Sequence, residues 1–183
     1  MIPGPNHHAP NLMRAGHERM GFHYNVDFIN PFLEAVLNVL STMANVSATP
    51  GKPYINRKRT AKGDVTGLIG FTGTTTGTMS VTLTKGAILK IVNNMLFESY
   101  TEIDDEIADA VGELTNMIAG QARNTLSEQG MALQASTPSV VMGRGHALSH
   151  IASAPILAIP FSTEDGDLVV EVCLLPPEEG PEE

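Results

Sequence analysis

The chain has 183 residues, 42% of them hydrophobic, which is enough to bury one core and short for two. Its 11 Lys and Arg stand against 20 Asp and Glu, a formal net charge of −9 that argues against nucleic acid and membrane surfaces as partners. No apolar run is long enough to span a bilayer, and the N-terminus lacks the apolar centre of a signal peptide, so a cytoplasmic protein is expected.

The two ends of the chain differ in composition from the middle. Residues 1–24 are rich in Pro, Gly and His without a sustained periodicity and predict a flexible leader, which an expression tag or a misplaced start would also explain. Residues 176–183, PPEEGPEE, combine proline with like charges and predict a disordered acidic tail. A single folded domain is therefore expected within residues 25–175.

The folded part opens with an amphipathic helix. Apolar residues recur at three- and four-residue intervals from Val26 to Met43, and Pro31 is expected only in the first turn. Tyr54 and Ile55 then predict a short strand. Two β-rich segments follow, DVTGLIGF and GTMSVTLT, and the TGTTTG between them predicts a hairpin.

Two helices and a run of strands complete the pattern. A second helix over about residues 86–97 is predicted to be buried as far as Leu96, and a longer third helix covers about residues 102–128. After Gly130, four segments predict strands, namely MALQAST, SVVMG, PILAIPFS and DLVVEVCLL. Cys173, the single cysteine, lies in the last of these and is expected to be a buried apolar residue. This order predicts an α+β fold, a mostly antiparallel sheet packed by two to three helices.

The third helix carries the candidate chemistry. Thr101 is the expected cap, and the acids after it suit the positive end of the helix dipole. The buried stripe is expected at Ile103, Ile107, Val111, Leu114, Ile118 and Ala122. At about 100° per residue, Glu113 and Asn116 fall on the outward face and lie side by side. Gly112 and Gly120 each cost about 1 kcal/mol relative to Ala in a helix, but they leave room for another backbone to approach.

An ordinary solvated helix face would also present such residues, and a family resemblance weighs against that interpretation. The segment DAVGELTNMIAGQARNTL resembles the signature helix of the CheX, CheC and FliY phosphatases, in which an Asp or Ser is followed by a Glu, an Asn and a later Pro. Asp109, Glu113, Asn116 and Pro138 occupy those positions. The segments NVDFINPFLEAVLNVL and TPSVVMGRGH extend the resemblance, and the single Glu and Asn pair is similar to CheX.

The resemblance implies a hydrolase that removes the aspartyl phosphate from a CheY-like response regulator. It implies that Asn116 orients the attacking water, while Glu113 pairs with the lysine of the receiver's own active site. The Mg²⁺ ion would come with the receiver, so no cofactor and no metal ligand of the chain's own are expected. It also implies a homodimer that joins strands into a shared sheet.

Several alternatives compete with this hypothesis. His146 and His150 are four apart, a metal-pair spacing on a helix, but the flanking Gly143 and Gly145 favour a loop. TGTTTG lacks the Lys of a phosphate-binding loop. A basic run fits either a solvated hairpin or a contact with an acidic receiver surface, and it comprises Arg57, Lys58, Arg59 and Lys62. The main alternative function is a non-catalytic module that binds a receiver or the flagellar switch, and a second alternative is a phosphatase for a receiver outside motility.

Overall fold

The computed structural model describes residues 26–58, 60–150 and 153–175, so the predicted leader and tail lie outside the described residues. Those ranges form three helices and eight strands. The helices are α1 (Val26–Ala44), α2 (Lys85–Leu96) and α3 (Asp105–Glu128), and the strands are β1 (Thr49–Pro50), β2 (Tyr54–Asn56), β3 (Val65–Gly73), β4 (Gly77–Leu83), β5 (Leu133–Ala135), β6 (Ser139–Met142), β7 (Ile156–Thr163) and β8 (Gly166–Leu174).

One antiparallel sheet contains all eight of these strands, which confirms the predicted α+β fold. The order is β1-β7-β8-β4-β3-β5, with β2 also paired to β7 and β6 also paired to β3. Each edge of the sheet therefore consists of two short strands laid end to end along one long strand. The predicted hairpin is β3 and β4, in a register that places Val65 opposite Leu83 and Phe71 opposite Gly77.

The core lies between the helices and one face of the sheet. Alternate residues of the central strands point to this face, as the two-residue period of a strand requires, and Ile69, Val81 and Val170 are fully buried. Phe32 of α1 and Ile118 of α3 pack into the same cluster. The sheet thus supports α3 from below, while α1 lies beside it.

Three details of the first two helices differ from the predictions. Pro31 lies in the second turn of α1, because the helix already begins at Val26. Its ring is buried in the core, and this burial offsets the backbone hydrogen bond that proline cannot donate. Val26 and Met43 at the ends of the predicted stripe are exposed, as is Leu96. In the same terminal turns of α1 it is Phe28 and Ala44 that are buried in the core.

The opposite face of the sheet is polar and also largely buried. Thr66 and Thr82 share a hydrogen bond of 2.7 Å there, and Glu171 is only 8% exposed. Asn56 donates to the Glu171 carboxylate. Burial, together with the charge of Glu171, raises the pKa of Tyr54 above its ordinary value. In the part of the chain that the structure describes, no helix is long and apolar enough to cross a membrane.

Candidate functional site

The start of α3 is later than predicted. Its cap is Asp104, whose carboxylate accepts the backbone N–H of Ile107 at 3.0 Å, so the predicted Thr101 cap is wrong. The preceding segment is held against α2: Tyr100 donates its backbone N–H to Asn93 Oδ1 at 2.7 Å, and its carbonyl accepts from Asn93 Nδ2 at 2.9 Å. Asn93 thus anchors the chain to α2 just before α3 begins.

The buried face of α3 follows the predicted stripe closely. Its buried members are Ile107, Val111, Leu114, Ile118 and Ala122. Ile103 precedes the helix and is only partly buried. On the side facing α1, Asn38 donates to Gln121 Oε1 at 2.9 Å, which joins the two helices through a polar contact. Apolar packing against the core and this hydrogen bond to α1 therefore hold α3 in place, with its remaining face turned outward.

The outward face presents the residues that the family resemblance singled out. Asp109, Glu113 and Asn116 are exposed and follow one another at four- and three-residue steps, so they form one strip along the helix. Neither the Glu113 nor the Asn116 side chain has a hydrogen-bond partner among the residues that the structure describes. A carboxylate and an amide are thus presented together for a partner molecule to contact.

Gly112 and Gly120, the two glycines of α3, have different surroundings. A β-carbon at Gly120 would meet no atom within 4 Å, so the space above it is open. A β-carbon at Gly112 would meet only Val140 Cγ2, at an ordinary contact distance of 3.7 Å. Val140 belongs to β6, and Pro138 immediately precedes that strand and is half-buried. The structure therefore brings the segment that contains Pro138 to the same helix, beside Gly112.

The site is a surface and not a cleft. A groove of about 440 Å³ does exist, but it lies on the sheet face away from the helices, where Gly70, Thr78 and Ser136 line it. Glu113 and Asn116 take no part in lining that groove. A pair on an exposed helix cannot surround a small molecule and exclude water from it, so its chemistry requires a macromolecular partner that supplies the rest of the site.

A cluster of charges joins the elements around α3. Arg144 Nε donates to the Asp64 carboxylate at 2.6 Å, and the backbone N–H of Lys85 donates to it at 2.7 Å. The hydrogen bond from Arg144 and then that from Lys85 lower the pKa of Asp64 below its ordinary value. The Asp64 carbonyl also accepts the N–H of Gly143 at 2.8 Å. Asp64 thus links the end of β6 to the start of α2.

A further charged contact lies in the first turn of α3. The Tyr100 hydroxyl donates to the Glu106 carboxylate, and this bond raises the pKa of Tyr100 to about 12. Lys85 and Glu102 form an exposed ion pair at 2.5 Å between α2 and the loop before α3.

The basic run lies on the surface where the structure describes it. Its exposed members are Arg57, Lys58 and Lys62, and Arg59 lies outside the described residues.

The histidine pair lies on the polar face of the sheet, apart from α3. His146 Nε2 is 2.7 Å from Thr66 Oγ1, whereas His150 Nδ1 is 2.6 Å from Thr78 Oγ1 and its Nε2 is 3.5 Å from Glu171. The two imidazoles thus contact different strand residues and do not point at a common centre. Across the described ranges, no group of three or more His, Cys, Asp or Glu side chains is arranged to hold a metal ion.

The sequence does not predict the hydrogen bonds that hold α3 and the segment before it in place. The bonds of Asn93 to Tyr100 and of Asn38 to Gln121 join residues of separate elements, and neither asparagine carries a local signal of its partner. The role of Asp104, in contrast, has a signal in the sequence, because an Asp before a helical stripe is as good a cap as Thr.

Comparison with known proteins identifies the family. The model of the chemotaxis phosphatase CheX family matches residues 65–162, which include β3, β4, all of α3 and β6. The chain belongs to that family. Its match to the CheX model confirms the resemblance predicted from the α3 segment.

Three relatives support the assignment. A crystal structure of the chemotaxis protein CheX from Desulfovibrio desulfuricans is 48% identical, has a TM-score of 0.77, and covers 82% of this chain and 100% of that one. A CheX–CheY–BeF₃–Mg²⁺ complex from Borrelia burgdorferi is 28% identical, with a TM-score of 0.70 and coverage of 83% and 100%. The CheY-P phosphatase CheX of Thermotoga maritima is 28% identical over 148 residues, 79% of this chain and 94% of that protein.

Proposed function

We propose that the chain hydrolyses the aspartyl phosphate of a CheY-like receiver domain, and that Glu113 and Asn116 act at the reaction centre. The observation that carries this proposal is the exposed pair on α3, which a chain of the CheX family presents on an open helix face. Because the pair is not enclosed, the receiver must bring its own phosphate to it. The Borrelia burgdorferi complex of CheX with CheY supports this kind of partner.

Asn116 is assigned the central chemical role. An aspartyl phosphate is an activated acyl phosphate, so its hydrolysis requires mainly a water held in line with the phosphorus. The Asn116 amide both donates and accepts, which allows it to hold such a water in a fixed orientation. A hundredfold acceleration requires only about 2.7 kcal/mol, which one oriented polar group can supply.

Glu113 is assigned the contact with the receiver. Its β-carbon lies about 5–6 Å from that of Asn116, as the three-residue helical step requires. A carboxylate there is placed to pair with the lysine of the receiver's active site and so to fix the register of the complex. Asp109 adds a second carboxylate one turn earlier, and Gly120 keeps the approach open to the receiver backbone, whereas Gly112 lies beside Val140 of β6. Pro138 is assigned a supporting role, since it precedes the strand that contacts Gly112.

The Mg²⁺ ion of the reaction is assigned to the receiver. The Borrelia burgdorferi complex contains Mg²⁺ and BeF₃ together with CheY. On this proposal the chain contributes no metal ligand and no cofactor, and its side chains act only on the water and on the receiver. A cytoplasmic location is part of the same proposal, since that is where receiver domains are phosphorylated.

A homodimer through the sheet edges is part of the proposal. The two edges are built from short strands, and each exposes apolar side chains: Tyr54 and Ile55 on β2, and Val141 and Met142 on β6. Exposed strand edges with apolar residues are favourable sites for pairing with a second copy. Light scattering at micromolar concentration should give about twice the 19.5 kDa of one chain. A monomer mass that persists as concentration rises would contradict it.

The decisive experiment separates a phosphatase from a non-catalytic receiver-binding module. Phosphate loss is measured from a panel of the host's phosphorylated receivers, and binding is measured to a receiver loaded with beryllofluoride. The Asn116→Ala variant should bind but lose most of the acceleration, whereas Glu113→Ala should weaken both binding and rate. Binding by the wild type without acceleration of any receiver would favour the non-catalytic module.

A further inference from the structure

Thr115 is an unusual residue for the buried face of α3. It lies between Glu113 and Asn116 in sequence, and its side chain is fully buried among apolar neighbours. Its hydroxyl donates to the carbonyl of Val111 at 2.7 Å, so the polar group is satisfied within the helix. This bond also fixes the side chain in one orientation. Thr115 is therefore a compact and rigid contact point directly beneath the exposed pair.

Gly67 of β3 receives this contact. A β-carbon at Gly67 would overlap Thr115 Oγ1, far inside the 3.0 Å that real β-carbons respect, and would lie 3.0 Å from Thr115 Cβ. The Thr115 side chain thus occupies the space that any residue other than glycine would fill. A glycine inside a strand commonly marks such a close approach of another element. Here it lets α3 lie closer to the sheet than a side chain would allow.

A second contact lies beside the first. Gly67 is paired in the sheet with Val140 of β6, and Val140 Cγ2 is the atom that a β-carbon at Gly112 would meet. Gly67 and Val140, which are neighbours in the sheet, therefore both lie against α3 within one turn of Glu113 and Asn116. Because the Thr115 side chain is held by its bond to Val111 and packs directly on Gly67, this contact determines how closely α3 lies on the sheet at this point.

We propose that Gly67 and Thr115 are positioning residues for the phosphatase reaction: their contact sets how far the exposed pair projects from the domain. This inference rests on the proposed function, because it concerns the same reaction. Neither residue touches the receiver; both act through Glu113 and Asn116. Displacing α3 outward at Thr115 by about 1 Å would carry Asn116 with it, and a displacement of that size can lower a rate by about a hundredfold.

The test is a double-mutant cycle on the clash. Gly67→Ala forces α3 outward, and its turnover at saturating receiver should fall at least about tenfold with a smaller change in KM, since the pair is displaced but not removed. Adding Thr115→Ala removes the hydroxyl that the new β-carbon meets. The double variant should therefore recover turnover and melting temperature toward those of Thr115→Ala alone. Gly70→Ala is the matched control on the same strand, since its β-carbon would meet only the Ser136 side chain, at 3.3 Å.

Each outcome has a definite meaning. Wild-type turnover by a folded Gly67→Ala variant overturns the positioning role and leaves the proposed function standing. Failure of the double variant to recover, including failure of both variants to fold, also overturns it, because the defect then does not arise from this contact. Absence of turnover in the wild type on every receiver overturns the proposed function, and the positioning role with it.

Discussion

Gly120→Ala should stabilise the domain and at the same time weaken its binding to a receiver. Glycine costs about 1 kcal/mol relative to alanine inside a helix. No atom lies within 4 Å of the added β-carbon, so no steric penalty offsets this gain. A gain of about 1 kcal/mol corresponds to a rise in melting temperature of about 2–4 °C for a domain of this size. In the complex proposed above, the same methyl group is expected to lie where the receiver backbone approaches.

The loss of affinity can be sized in the same way. Forcing a methyl group into a close-packed contact costs about 1–3 kcal/mol, which is a factor of about 5 to 150 in the dissociation constant. Calorimetric melting and titration with a beryllofluoride-loaded receiver measure the two effects. Phe97→Gly is the control: Phe97 is 94% exposed with a left-handed φ of 56°, so glycine there should stabilise without affecting binding. Unchanged affinity in Gly120→Ala would show that the receiver does not approach this glycine.

Four further predictions follow from the described contacts. Asp104→Ala should lower the free energy of unfolding by about 1 kcal/mol in urea titrations, because it removes the cap of α3. Cys173 should react with a thiol reagent only on unfolding, since burial raises the pKa of its thiol; rapid labelling of the folded protein would contradict this. The pKa of Asp64 in the folded protein is lowered below 3.8, so its ionised carboxylate stabilises the fold above that pH, and this stabilisation is lost as the pH falls through the pKa of the folded state. Asp64→Asn should therefore lower the free energy of unfolding at pH 7, and the difference from the wild type should vanish in acid. Deleting residues 1–24 and 176–183 should leave the melting temperature within a few degrees, whereas loss of cooperative unfolding would show that they pack on the domain.

The sequence was most informative where periodicity was long and regular. The stripe from Ile107 to Ala122 fixed the buried face of α3 and so placed Glu113 and Asn116 outward, because a 3.6-residue period leaves little choice over several turns. Alternation identified the long strands for the same reason. Helix ends are harder to predict, since Thr101 and Asp104 are both good caps by residue type; in the structure Asp104 is the cap, because its carboxylate accepts the N–H of Ile107.

The features that depend on contacts between elements were beyond sequence reasoning. Pairing of two short strands along one edge depends on register, which a strand as short as β1 does not encode. The buried polar face of the sheet, with Glu171 beside His150, arises from the loop that covers it. Gly67 did carry a signal, since an isolated glycine in an apolar strand marks a close approach, but its partner Thr115 emerges only once α3 is placed on the sheet.

The central claim is that Asn116 supplies the catalytic amide, and one measurement tests it most directly. The decay of a phosphorylated cognate receiver is followed with excess wild-type protein, Asn116→Ala or Asn124→Ala. Asn124 is the matched control, because it is an exposed asparagine of α3 outside the Glu113 and Asn116 pair. The account predicts that the wild type and Asn124→Ala accelerate the decay, while Asn116→Ala falls close to the rate of the receiver alone. Equal acceleration by Asn116→Ala and Asn124→Ala would contradict it.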